Sequence, residues 1–164
     1  PRLPVLKQPP LVRENRLYQA DWLMRFYQFS VDEIVDDKHT HLDLDVCPKL
    51  GWALRHPEFF PVDINKASYE EILRVPGIGV KSAVLIVNSR RFNRITSYHL
   101  KKRGVVMKNA KYFIPCGELT SAFSQPIIGI NELRPERLRP LLLSKTQQKR
   151  AAEEQQLLLD FQDE

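Results

Sequence analysis

Cysteine is scarce in this chain of 164 residues: Cys47 and Cys116 are the only two, too few and too far apart for a disulfide framework. That scarcity excludes the small stapled secreted domains and leads us to expect an intracellular, cytoplasmic protein. Long hydrophobic runs are also missing. Apolar residues make up 43% of the chain, yet no run approaches the roughly 18 residues that read as a membrane span, so no membrane partner is expected. The opening Pro1-Arg2-Leu3-Pro4-Val5-Leu6 has the pattern of neither a signal nor a transit peptide. Because it lacks an initiating methionine, it is expected to belong to a processed or excised piece. The most informative absence is of acid. Between Glu71 and Glu118 there is no aspartate or glutamate, while Arg74, Lys81, Arg90, Arg91, Arg94, Lys101, Lys102, Arg103, Lys108 and Lys111 all fall there. The net charge of +5 therefore conceals a remainder of fifteen basic and twenty acidic residues, at −5. Net positive charge concentrated in one stretch is the footprint of a nucleic-acid surface.

What that stretch contains begins just upstream of it. Ser68 with Glu71 three residues on predicts a capping box, and Ile72, Leu73 and Val75 give the helix it starts a small apolar face. Pro76 disfavours helical geometry in the residue before it and ends the helix. Gly77 and Gly79 flank Ile78 and permit the positive φ that other residues resist. Ala83, Ile86 and Val87 then recur at helical spacing. The first amides of this second helix, around Val80 to Ala83, lack intrahelical partners and lie at the positive end of its dipole, which makes them an anion site. Lys81 stands beside them and Ser82 offers a hydroxyl.

The string Asp63-Ile64-Asn65-Lys66-Ala67-Ser68, followed by Val75-Pro76-Gly77-Ile78-Gly79-Val80-Lys81-Ser82-Ala83, closely resembles the helix-hairpin-helix DNA-binding motif. The resemblance implies a grip on one strand's phosphates without base reading, with a monovalent cation held by hairpin carbonyls. A second unit follows at an offset of 27 residues: Gly104 falls under Gly77, Val105 under Ile78, Met107 under Val80, Lys108 under Lys81, Asn109 under Ser82 and Ala110 under Ala83. Val106 stands where the first unit has Gly79. Such a repeat predicts two hairpins packed as a pseudo-symmetric pair.

Around this core the chain divides into four expected parts. Residues 1–10, with four prolines, read as a linker arm, and residues 11–62 as an N-terminal helical segment. Residues 63–117 read as the tandem hairpin domain, and 118–164 as an irregular segment with a C-terminal helix. From Val12 to Phe29 the pattern is helical, and Tyr18, Trp22, Phe26 and Phe29 form an aromatic stripe expected to face the core rather than to stack on bases. Ser30 caps a short helix through Val35, and Pro48 opens another through Arg55 with Leu50 and Leu54 as its apolar side. Pro135 and Pro140 are expected to break any helix between Glu132 and Leu143. His39, His41, Asp43, Asp45 and Cys47 alternate, so an extended chain would set all five on one face. Parallel side chains do not converge on one ion, so no metal site is expected; Leu42, Leu44 and Val46 turning inward explains the same alternation.

A wider resemblance covers roughly residues 11–117. Leu11-Val12-Arg13-Glu14-Asn15-Arg16-Leu17-Tyr18-Gln19-Ala20-Asp21-Trp22-Leu23, Leu42-Asp43-Leu44-Asp45, Pro48-Lys49-Leu50 and Trp52 through Asp63 are similar to a bacterial family of radical-SAM proteins assigned to DNA modification or repair. Gly104-Val105-Val106 through Ala110-Lys111-Tyr112-Phe113-Ile114 is similar to it as well. The resemblance implies a radical-SAM catalytic domain and a uracil-DNA glycosylase-like protein as partners. Its iron–sulfur cluster needs Cys-x-x-x-Cys-x-x-Cys, whereas Cys47 and Cys116 stand 69 positions apart. The cluster and S-adenosylmethionine would thus enter only with an N-terminal domain that these residues do not contain. Glycosylases of the helix-hairpin-helix type need an aspartate some twenty residues past the hairpin, and no carboxylate follows until Glu118. The expectation is an all-α, non-catalytic module binding single- or double-stranded DNA. Gly77, Ile78, Gly79, Val80, Lys81, Ser82, Arg90, Arg91, Gly104, Lys108 and Asn109 would form its interface. A protein-docking module is the alternative, and an enzyme using the His39 to Cys47 stretch a third.

Overall fold

The computed structural model describes residues 11–115 and 135–143, and every regular element among them is helical. The linker-arm, Cys116 and C-terminal-helix expectations lie outside the described residues. Helix α1 spans Leu11–Tyr27. It stops short of the predicted Phe29 because Gln28 takes a left-handed φ of 58°. Phe29 then drops into the core, its N–H donating to the Leu23 carbonyl at 3.4 Å. The aromatic stripe corrects the expectation: Tyr18, Trp22 and Phe26 are exposed, and only Phe29 is buried. Helix α1 turns Ala20, Leu23 and Tyr27 inward instead.

Ser30 caps α2, Val31–Ile34, in a reciprocal capping box with Glu33. Pro48 starts α3, Pro48–Arg55, as predicted, and nearly the whole helix is buried, including Leu50, Trp52 and Leu54. Helix α3 packs against both α1 and α2. Its Arg55 ties down the end of α2 by donating to the Glu33 and Ile34 carbonyls, each at 2.9 Å. Edge-on rings gather around Trp52, with Phe29 and Phe59 at 5.3 Å and Phe60 in turn 4.7 Å from Phe113. Pairs of this kind contribute about 0.5–1.5 kcal/mol each beyond the area they bury.

The stretch from His39 to Cys47 is irregular rather than extended. Asp36 accepts from the Lys38 and His39 amides, and Asp43 accepts from those of Asp45 and Val46. Such local side-chain to backbone bonds compete with a strand. Val46 is buried, but Leu44 is 52% exposed, which corrects the expectation that all three apolar residues face inward. Among the described residues no group of three or more metal-ligating side chains comes together.

Ser68 and Glu71 form the predicted capping box at the start of α4, Tyr69–Arg74. Helices α5, Val80–Ser89, α6, Ser97–Lys102, and the single turn α7, Met107–Ala110, follow. The Val62 amide donates to the Phe113 carbonyl at 2.9 Å and joins the two ends of this region. The last described helix, α8, Pro135–Leu142, runs through Pro140, a correction to the expected break. Leu138, Leu142 and Leu143 anchor it in the core, and Arg139 bridges Asp43 at 2.6 Å and Asp45 at 3.2 Å. A single cluster of buried apolar residues continues from Ala20 through Trp52, Ile72, Ile86 and Leu100 to Leu143. No described helix is long and apolar enough to cross a membrane.

Candidate nucleic-acid interface

The turn joining α4 to α5 is set by its backbone. Val75 ends α4, Gly77 takes φ +90°, and the Ile78 amide donates back to the Val75 carbonyl at 3.1 Å. Gly79 does not use positive φ; at −94° it is the N-cap of α5. The Ile78 side chain is fully buried, so this residue shapes the turn and presents no side chain to a ligand.

The turn joining α6 to α7 has Gly104 at φ +75°, 27 positions after Gly77 and in the same region of backbone space. The two turns touch directly. The Val106 amide donates to the Gly77 carbonyl at 2.9 Å, and the Ser82 hydroxyl donates to the Arg103 carbonyl at 2.7 Å. Ser82 is therefore buried and bonded between the two units, and its hydroxyl is not offered to a phosphate. Asn109 is half-buried, while Lys108 is exposed.

The start of α5 retains the geometry of an anion site. Its first intrahelical bond runs from the Ala83 amide to the Gly79 carbonyl at 2.9 Å, which leaves the amides ahead of Ala83 without partners inside the helix. The Tyr27 phenol faces the backbone of Val80 at this end of the helix. Burial pushes that phenol's pKa up, and the amide draws it partly back. The Lys81 and Ser82 amides complete the end of the helix, and the Lys81 side chain is exposed beside them.

The hairpin also holds a cation that the sequence did not announce. Lys49, in the first turn of α3, is 8% exposed and donates from Nζ to the Ile78 carbonyl at 2.6 Å. Its ammonium lies 4.6 Å from the centre of the Tyr27 ring. Burial pushes its pKa down to about 7, a shift that the neighbouring Cys47 opposes. A second positive charge at the same carbonyl would meet this ammonium at close range in a poorly solvated site. The Gly77 carbonyl is taken by Val106. These residues do not fit an additional monovalent cation at Ile78, contrary to what the motif resemblance implies.

The basic residues divide into two groups. Arg74 pairs with Glu33 and lies 4.5 Å from the Phe29 ring and 4.9 Å from the Trp52 ring. Arg90 donates to the Ile64 and Ala67 carbonyls, and Arg103 to the His99 carbonyl and the Ser89 hydroxyl. Arg90, expected at the interface, instead anchors the end of α5. Lys81, Arg91, Arg94, Lys101, Lys102 and Lys108 are exposed.

Sequence reasoning missed Lys49, Tyr27 and Asn65. The Asn65 side chain pairs with both backbone groups of Ile95, at 2.8 and 3.2 Å, and fixes the loop before α6. The available signal was a lysine placed in the first turn of a mostly apolar helix, where the dipole disfavours a cation. Comparison of the chain with family models, with curated proteins and with solved structures gave no match.

Proposed function

We propose that residues 63–115 form a helix-hairpin-helix pair that binds DNA through backbone phosphates, as a non-catalytic module of a larger repair or modification system. The observation that carries this reading is the amide-lined start of α5, with Lys81 beside it, inside a stretch that has no carboxylate between Glu71 and Glu118. The shared positive φ of Gly77 and Gly104 supports treating the two turns as one repeated unit. The Gly77, Ile78 and Gly79 backbone shapes the first turn, and the Lys81 and Ser82 amides take a phosphate oxygen. Lys108 and the exposed Arg91, Arg94, Lys101 and Lys102 extend the positive surface. Phosphate contacts position a strand but carry no base code, so binding is weakly sequence-specific. The resemblance over residues 11–117 supports a radical-SAM domain and a uracil-DNA glycosylase-like protein as the partners of this module.

The test is fluorescence anisotropy with labelled DNA across a salt series. Contact with about four to six phosphates gives a slope of log K against log salt near −4 to −5. Lys81→Glu combined with Lys108→Glu is expected to abolish binding. A slope near zero, or binding that survives both charge reversals, would replace the DNA-binding reading with a protein-docking one.

A further inference from the structure

Helix α1 carries large aromatic rings on its solvent side. Trp22 is 57% exposed and Phe26 47%, and their ring centres stand 4.4 Å apart. A hydrophobic surface of this kind marks a binding site more often than a lone exposed residue does. Trp22 is also one wall of a groove of about 290 Å3. Leu23, Tyr27 and Lys49 line the groove with it, together with Gly77, Ile78 and Gly79 of the turn between α4 and α5. No carboxylate of the described residues lines the groove, and Gly77, Ile78, Gly79 and Val106 of its lining belong to the acid-free stretch. The volume lies at the lower limit of small-molecule sites, about 300 Å3, which suits a single planar heterocycle and excludes a duplex.

We propose that this groove holds one unpaired nucleobase, stacked on Trp22, of a strand whose phosphate lies on the start of α5; this rests on the phosphate-binding reading above. The groove reaches Gly79, the N-cap of α5, so one nucleotide spans the base site and the Lys81 and Ser82 amides that follow it. Bases in a duplex are stacked and paired inside the helix and do not reach the groove. The protein therefore prefers single-stranded DNA, or a duplex with an unpaired nucleotide. Stacking on an aromatic ring tolerates every base, because each has a π-face, so the preference is for strand state and not for sequence.

The experiment uses the full chain, a labelled oligothymidylate and a duplex of equal length, read by anisotropy and by tryptophan emission. Trp52 is 4% exposed, so a change in emission on binding reports Trp22. The wild type is expected to bind the single strand more tightly than the duplex, with quenching. Trp22→Ala is expected to lose on the order of tenfold in single-strand affinity while its duplex affinity changes less than about twofold. Trp22→Phe keeps a stacking ring and is expected to retain the affinity but not the quenching, which serves as the check should the alanine variant misfold. Equal affinity for both forms, unchanged by Trp22→Ala and without quenching, would overturn the base site and leave the phosphate reading standing. Loss of self-association in Trp22→Ala, with no change in DNA affinity, would also overturn it and assign the face to protein contact. Absence of binding to either form at low salt would remove both readings together.

Discussion

At Lys49 a full charge and a buried position meet in one side chain. Its ammonium is removed from water, and what replaces the water is the Ile78 carbonyl at 2.6 Å and the face of Tyr27. Cys47 and the Tyr27 phenol are the titratable groups that face it. The consequence for stability has a definite sign. The unfolded chain holds the lysine proton up to about pH 10.5, whereas the folded chain releases it near pH 7. Between those values the unfolded state binds more protons, so stability rises with pH, by at most about 1.4 kcal/mol per unit. Below the folded pKa the cost is present in full and no longer changes. Urea titrations of the wild type and Lys49→Met should therefore diverge: from pH 7 to 9 the wild type gains about 2 kcal/mol relative to the variant. A difference that stays constant with pH would mean that the ammonium is well solvated. The sequence hid this residue's role because its partner stands 29 positions away, and only the fold brings α3 against the hairpin.

Among the elements, the two turns are unequal partners. A methyl group at Gly77 would stand 2.5 Å from the Val106 carbonyl oxygen and 3.2 Å from the Ala110 amide, both backbone atoms that cannot swing aside. At Gly104 the nearest atom to such a methyl is the Ser82 hydroxyl oxygen at 4.0 Å. Both glycines have positive φ, so alanine is strained at either by about 1–2 kcal/mol. At Gly77 the clash adds to the strain, and the two turns must separate. Gly77→Ala is expected to cost at least about 3 kcal/mol and Gly104→Ala about 1 kcal/mol, compared through their denaturation midpoints. Equal costs would show that the turns do not interlock. Local signals made much of this legible. The capping boxes at Ser30 and Ser68 need only residues three apart, and Gly104 was found by its offset from Gly77. The aromatic stripe misled because spacing identifies the residues that share a helix face without saying which face is covered. In α1 the covered face is the less conspicuous one of Ala20, Leu23 and Tyr27. Proline misled in α8, where Leu138 and Leu142 on the buried side hold the helix across Pro140.

At the scale of the described molecule, the basic side chains divide between those packed into the structure and those on its surface. The core is a continuous apolar cluster, and Arg74, Arg90 and Arg103 are bound into the structure by Glu33, backbone carbonyls and the Ser89 hydroxyl. The exposed Lys81, Arg91, Arg94, Lys101, Lys102 and Lys108 fall in a stretch of sequence that contains no aspartate or glutamate. Like charges that compaction gathers repel one another more than in the unfolded chain, which is a cost of the folded state. Salt screens exposed charges within about a Debye length, roughly 10 Å at 0.1 M and 3 Å at 1 M, and reaches partly buried pairs such as Arg74–Glu33 far less. Salt should then act with opposite signs on folding and on binding. Between about 50 and about 500 mM sodium chloride the melting temperature of the free protein is expected to rise by about 2–4 °C, while the DNA affinity proposed for it is expected to fall along the steep slope of phosphate contacts. Calorimetry of the free chain and anisotropy of the complex, in matched buffers, give the two signs directly. A melting temperature that falls as salt rises would mean that the exposed cations are stabilised by anionic neighbours within the protein, and they would then be unavailable to gather phosphate.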